Sequence, residues 1–168
     1  MIKIGNNISS LSTYSYRPTS RDELKKIINE RISKEGYNCD LNDIDTSLIT
    51  DMTGLFYDSD FNGNISKWNT SNVKSMTWMF YCSKFDCDIS DWDVSKVEDM
   101  SYMFAFSEFN QDISRWDVSS VTNMISMFKL AEFNQDISKW NVNNSTTVFY
   151  MLDRCKIRKE YKPKSLQV

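Results

Sequence analysis

A fixed step of 24 residues constrains this chain more than any other feature. Phe61, Phe85, Phe109 and Phe133 keep it, as do Ile65, Ile89, Ile113 and Ile137, then Trp68, Trp92, Trp116 and Trp140, then Met79, Met103, Met127 and Met151. A gapless period of this size is the signature of a solenoid, in which one coil cannot bury its apolar face until a neighbour stacks on it. The coils run 37–60, 61–84, 85–108, 109–132 and 133–156. The first is degenerate: Leu41 stands in the Ile column, Ile44 in the Trp column, Ile49 in the Val column, and Met52, Leu55 and Phe56 in the Met-Met-Phe columns. The last fades, with Ser145 in place of Val and Val148 in place of Met. Apolar character survives where identity does not.

Within a coil, Ile89, Trp92 and Val94 favour extended structure by their β-branched and aromatic character. Ser95-Lys96-Val97-Glu98 reads as a capping box, after which Val97, Met100, Met103 and Phe104 fall on one face of a short helix. Each coil is therefore expected to be strand, turn, short helix and return. Strands repeat at about 4.8 Å and packed helices at about 8–10 Å, so such a stack curves with its helices outside. The expected fold class is an α/β solenoid, a leucine-rich-repeat-like stack of about five coils, with a cap at each end.

The caps flank the repeats. Residues 1–36 hold an N-terminal tail, with Ile2, Ile4, Ile8 and Leu11 scattered in it, and then a helix over about 20–34. Ser20 is its N-cap, Glu23 completes a capping box, Leu24, Ile27, Ile28 and Ile32 give the apolar stripe, and Gly36 stops it. Residues 157–168 form a basic C-terminal cap or tail, in which Ile157, Tyr161 and Leu166 are available to close the last coil.

Charge and cysteine usage narrow the function. Net charge is +3 over residues 1–36, −9 over 37–156 and +3 over 157–168. An acidic body lacks the basic stripe of a nucleic-acid binder, so nucleic acid is not expected as its direct ligand. The chain has 4 cysteines, no CxxC pair and no histidine, which argues against a zinc site and against Ser-His or Cys-His catalysis. Cys39 and Cys87 share a column two coils apart, about 10 Å, beyond the reach of a disulfide. No apolar run has the length of a signal peptide or a membrane span, so a cytoplasmic location in a bacterial host, with no membrane association, is expected.

The pattern from Phe109-Asn110-Gln111-Asp112-Ile113-Ser114-Arg115-Trp116-Asp117-Val118 through Ser119-Ser120-Val121-Thr122-Asn123-Met124 and on to Met127-Phe128 resembles the repeat of the BspA-like leucine-rich-repeat proteins, also known as the DUF285 or mycoplasma lipoprotein-type repeat family. The likeness spans 37–156 and is most specific over 61–140. It implies a scaffold without catalytic activity, found on bacterial surfaces and also encoded by mobile elements and phages. On that resemblance, a cytoplasmic member is expected to be a non-enzymatic protein-binding module that covers or bridges a partner surface, such as a phage inhibitor of a host defence protein of the anti-CRISPR kind. The alternative is a surface adhesin or a fragment of one.

Candidate sites divide by column. Trp68, Trp92, Trp116 and Trp140 would make an aromatic platform, but Ile44 in the same column favours a core role, shared with Ile65, Ile89, Ile113, Ile137, Met79, Met103 and Met127. Asp40, Asn64, Asp88, Asp112 and Asp136, with Asp45, Asn69, Asp93, Asp117 and Asn141, carry the oxygens that calcium prefers. Asn replaces Asp freely there, which favours turn capping. Asn38, Asn62, Asp86, Asn110 and Asn134 read as a ladder bonding between coils. No catalytic residue, cofactor or metal is expected, since repeated columns are not a unique constellation. On the helical reading, Trp78 lies about 160° and Tyr81 about 140° from the buried face. Trp78, Tyr81, Tyr102, Tyr57, Tyr150 and Phe106 are therefore the candidate partner-binding residues, because Trp and Tyr dominate binding hot spots. A homo-oligomer contact is the competing reading of this patch, and the mixed-charge column Lys67, Asp91, Arg115 and Lys139 is the competing surface.

Overall fold

The structure, a computed structural model, describes residues 14–143 and 145–167. The tail residues Ile2, Ile4, Ile8 and Leu11 lie outside them. Helix α1 (Arg21–Glu35) begins at Ser20, whose side chain accepts from the Glu23 N–H, and ends at Gly36, where φ is 88° and the N–H returns to the Ile32 carbonyl. Glu23 reaches one residue past the N-cap, to the Thr19 N–H at 2.8 Å. Leu24 and Ile28 are fully buried against the first coil.

Successive 24-residue segments lie one above another in register. Parallel bridges link Asp51, Ser75, Asp99, Asn123 and Thr147 in turn, and another joins Asp40 to Asn64. Equivalent rings stack between layers: Phe56, Phe80, Phe104 and Phe128 have centroids 5.4–5.5 Å apart. Phe61, Phe85, Phe109 and Phe133 follow at 6.2–6.3 Å. The two columns close on each other where one coil passes into the next, as at Phe104 and Phe109, 4.1 Å apart. The result is a continuous aromatic spine, to which Ile65, Ile89, Ile113 and Ile137 with Met79, Met103 and Met127 contribute side chains at most 1% exposed.

This spacing corrects the reading of the coil. Among the described residues the only α-helix is α1, and the segments from Val73, Val97 and Val121 onward are chains of overlapping turns. Layers 5.4–6.4 Å apart, by the ring centroids, leave no room for helices that pack at about 8–10 Å. A helix would also close its hydrogen bonds within itself, leaving none for the next layer. Instead the N–H groups of Met76, Trp78, Phe80 and Cys82 donate to the carbonyls of Asp99, Ser101, Met103 and Ala105 in the next coil, at 2.9–3.1 Å. The intervening N–H groups close turns within the coil, Met79 to the Met76 carbonyl and Tyr81 to that of Trp78, both at 3.2 Å. The expected strand at 89–94 is likewise a turn, closed by the Trp92 N–H on the Ile89 carbonyl. Ser95 and Glu98 cap nothing: the Ser95 N–H donates to Asp93, and Glu98 pairs with Lys74 at 2.7 Å.

The ends are closed differently. At the first coil Arg31 holds Asp43 through two bonds of 2.8 and 3.0 Å and holds Glu35 as well, fixing α1 to the stack. Burial pushes the Asp43 carboxyl up, but the Arg31 hydrogen bonds prevail and hold it below its ordinary value. At the last coil the tail lies over residues 134–142, where the Ile137 N–H meets the Tyr161 carbonyl and the Arg158 N–H meets Asn134 Oδ1.

Close layer contact makes one glycine indispensable. A Cβ at Gly63 would stand 2.1 Å from the Cys39 carbonyl oxygen and 2.7 Å from the Phe61 ring. Gly63→Ala is expected to cost about 1–3 kcal/mol, the usual range for overpacking. Gln111→Ala, in the same column where a Cβ is already present, is expected to change little. Urea denaturation of the two variants checks this, and equal midpoints would contradict it.

Candidate functional site

The four tryptophans of the repeat column lie inside, 3–5% exposed. Each indole N–H reaches back to the preceding coil: Trp68 to the Leu41 carbonyl, Trp92 to Ile65, Trp116 to Ile89 and Trp140 to Ile113, at 2.9–3.2 Å. A buried, bonded indole offers no platform to a ligand.

The acidic columns spend their oxygens on the backbone. Asp88, Asp112 and Asp136 each accept the N–H of the serine two residues on, at 2.9 Å, and Asp45, Asp93 and Asp117 do the same at 3.0 Å. In the last coil this role falls to Asn143 and not to Asn141. Asn62, Asp86, Asn110 and Asn134 each accept the backbone N–H one layer on, at 2.7–2.9 Å, forming a side-chain ladder between coils. Lys67, Asp91, Arg115 and Lys139 are all solvent-exposed.

The remaining candidates form one outward band. Tyr57 stacks on Tyr81 with centroids 5.0 Å apart and rings within 4° of parallel. Tyr81 meets Phe106 at 5.4 Å and Tyr102 at 6.5 Å, and Tyr102 meets Trp78 at 6.1 Å. These five residues, from three coils, make a connected surface in which Trp78 is 44% exposed. Burial against its neighbours raises the Tyr81 phenol above its ordinary pKa, and burial does the same for the Cys82 thiol beside Asp58. Tyr150 stands apart, because the intervening coil has Ser126 in its column; the Lys129 ammonium sits 5.2 Å over its ring. Leu130, Phe149 (70% exposed) and Tyr150 (66% exposed) continue an apolar surface toward the last coil.

The band stands outward because of backbone handedness and not helical phase. Trp78 (φ 54°), Tyr102 (φ 56°), Phe106 (φ 60°), Leu130 (φ 54°) and Tyr150 (φ 56°) all occupy the left-handed region, and the first coil has Gly54 (φ 61°) in the Trp78 column. They sit at the third position of i→i+3 turns, where glycine is ordinarily chosen. Sequence periodicity alone overlooked Leu130 and Phe149. The signal for Leu130 was the variable column Cys82, Phe106, Leu130 and Arg154, four residues on from the column of Trp78; Phe149 lies in the column of Thr77, Ser101 and Ile125, which carries no such signal.

A stack of 24-residue copies with a turn-built outward band defines a repeat protein. The family described as Mycoplasma protein of unknown function, DUF285, matches residues 23–113 and 82–161, and the chain belongs to it. No curated protein and no solved structure matches the chain.

The bonded aspartates set an acid limit on stability. Hydrogen bonds from the following serine hold Asp45, Asp88, Asp93, Asp112, Asp117 and Asp136 below the ordinary carboxylate value. An unfolded Asp titrates at about 3.9. These groups therefore stabilise the fold above that pH and lose the contribution as pH falls through their depressed folded range. Urea midpoints are expected to hold steady from pH 7 to about 5 and to drop below about 4. Replacing Asp88, Asp112 and Asp136 together with Asn is expected to flatten that drop, and an unchanged profile would contradict the assignment.

Proposed function

We propose that this chain is a non-enzymatic binding module of the cell interior that works by covering or bridging a surface on another protein, with the band of Tyr57, Trp78, Tyr81, Tyr102 and Phe106 as its contact. The observation that carries this reading is the placement of Trp78 and Phe106, both exposed, and of the half-buried Tyr102 at backbone positions that favour glycine. A bulky residue in the left-handed region costs about 1–2 kcal/mol relative to glycine. An exposed tryptophan or phenylalanine there adds nothing to the buried spine. Strained positions of this kind cluster at sites that act on something else, and a rigid aromatic surface is what binding hot spots are made of.

Binding by occlusion also fits the rest of the molecule. The carboxylates repeat in every coil as turn caps, and a single catalytic constellation is not among them. No helix among the described residues is long and apolar enough to cross a membrane. An inhibitor of a host defence protein, carried by a phage or mobile element, is the concrete form of this proposal that the family resemblance supports.

The test pairs two double variants in a pull-down from the native host. Trp78→Gly/Tyr102→Gly removes the rings and the strain together, so its thermal midpoint is expected to match or exceed wild type while the partner is lost. Lys67→Ala/Arg115→Ala, on the mixed-charge column, is expected to retain the partner. Equal recovery by wild type and the glycine variant would overturn the assignment of the band. Loss of the partner by the charge variant alone would move the site to the other surface.

A further inference from the structure

Between its two flanks the turn-built face carries interlayer hydrogen bonds of a single polarity; at the flanks the N–H groups of Lys74, Glu98, Thr122 and Thr147, and those of Lys84, Glu108, Glu132 and Lys156, donate the opposite way, to the preceding coil. In each of the first four coils, four alternate N–H groups point along the stack to the next layer, the last set being Met124, Ser126, Phe128 and Leu130 on the carbonyls of Thr147, Phe149, Met151 and Asp153 at 2.8–2.9 Å. The matching donors of the fifth coil are the N–H groups of Val148, Tyr150, Leu152 and Arg154. None of them has an acceptor among the described residues. The carbonyls of Val148, Tyr150 and Leu152 are already used, by the N–H groups of Met151, Asp153 and Cys155. The tail that closes the other half of this coil bonds to Asn134, Ile137 and Val142 and reaches none of these donors. The edge is therefore a run of four donors, bounded by the carbonyls of Thr146 and Cys155, at the positive end of four columns of aligned peptide dipoles.

We propose that this edge receives an extended, acidic segment of another polypeptide, whose oxygens take the place of a sixth coil. Three observations choose the occupant. A second copy cannot supply its own first coil, because α1 covers that end: Arg21 Nε donates to the Thr53 carbonyl at 2.8 Å and Lys25 Nζ to that of Leu55. Nor can it offer the same edge, since the four central donors would face donors. Charge selects the rest: residues 154–167 carry six basic side chains against one acidic, at the end of a chain whose body is acidic. Phe149 and Tyr150, both exposed, give the segment's apolar side chains a place to lie. The inference deepens the binding-module reading by naming a partner chemistry at the far end of the same face, and it stands on the backbone donors and not on the Trp78 band.

The test uses the full chain, ¹⁵N-labelled, titrated with a poly-glutamate peptide and, in parallel, with free glutamate at equal carboxylate concentration. The amide resonances of Val148, Tyr150, Leu152 and Arg154 are expected to move with the peptide and not with free glutamate, while those of Met124, Ser126, Phe128 and Leu130 stay. Val148→Pro deletes one donor and is expected to weaken the peptide about fivefold, the worth of one hydrogen bond. Trp78→Gly/Tyr102→Gly is expected to leave peptide affinity unchanged, which separates failure of the edge from failure of the band. Should Val148→Pro unfold the chain, the amide shifts of the wild type still decide. Shifts confined to lysine and arginine side chains would overturn the proposal as mere attraction to a basic tail. Movement of the four amides on raising protein concentration alone would overturn it in favour of a second copy.

Discussion

The hydrogen bond from every second N–H to the layer above is the interaction on which the rest depends. It holds Met52, Gly54, Phe56 and Asp58 under Ser75, Thr77, Met79 and Tyr81 at 2.8–2.9 Å and repeats that pattern at each later interface. Because the donors are alternate residues and the acceptors their immediate predecessors one coil on, every equivalent side chain comes to rest above its copy. The aromatic spine is a consequence of that register. It adds burial on the order of 1.5–3 kcal/mol for each fully buried ring. The intervening peptides, denied a partner in the next layer, close turns within the coil, and those turns force the left-handed residues that carry the outward band.

Fold and surface are thus coupled through backbone geometry. A coil made of overlapping turns must place a residue at positive φ about every fourth position, as at Trp78 and Cys82 or Tyr102 and Phe106. Gly54 in the first coil shows that the backbone does not require a ring there. The later coils accept strain at those sites while keeping Met79, Phe80, Met103 and Phe104 fully buried. Residues free to vary without disturbing the spine are the ones that present a surface. Polarity of the turn-built run follows from the same rule, since at one end of the stack it is left with carbonyls, two of them met by Arg21 and Lys25, and at the other with N–H groups.

Much of this was legible in the chain as letters. The step of 24 residues located the layers, Ile44 opposite Trp68 pointed to burial of that column, and interchange of Asn with Asp pointed to turn capping. The helix within each coil was not legible correctly, for a physical reason. Val97, Met100, Met103 and Phe104 satisfy helical spacing, but alternate turns also bring such residues to one side, and periodicity cannot separate the two. Layer spacing decides, and that depends on contacts a full coil away. Leu130 was missed because a helical projection assigns no special direction to positions that owe theirs to positive φ, and Phe149 because its column holds Thr77 and Ser101 in the coils where the repeat is clearest. The Asn143 substitution for Asn141 in the last coil was hidden by the absence of any gap in the repeat.

Native-state hydrogen exchange tests the central claim most directly, since the account rests on which N–H groups point along the stack and which of them end unpaired. Amides of Met100, Tyr102, Phe104 and Phe106, and of Met124, Ser126, Phe128 and Leu130, are predicted to be protected close to the global unfolding limit. Those of Val148, Tyr150, Leu152 and Arg154 are predicted to exchange at nearly the rate of an open chain. Equal protection of the last set, or rapid exchange at the inner positions, would contradict a turn-built run whose interlayer hydrogen bonds all point one way.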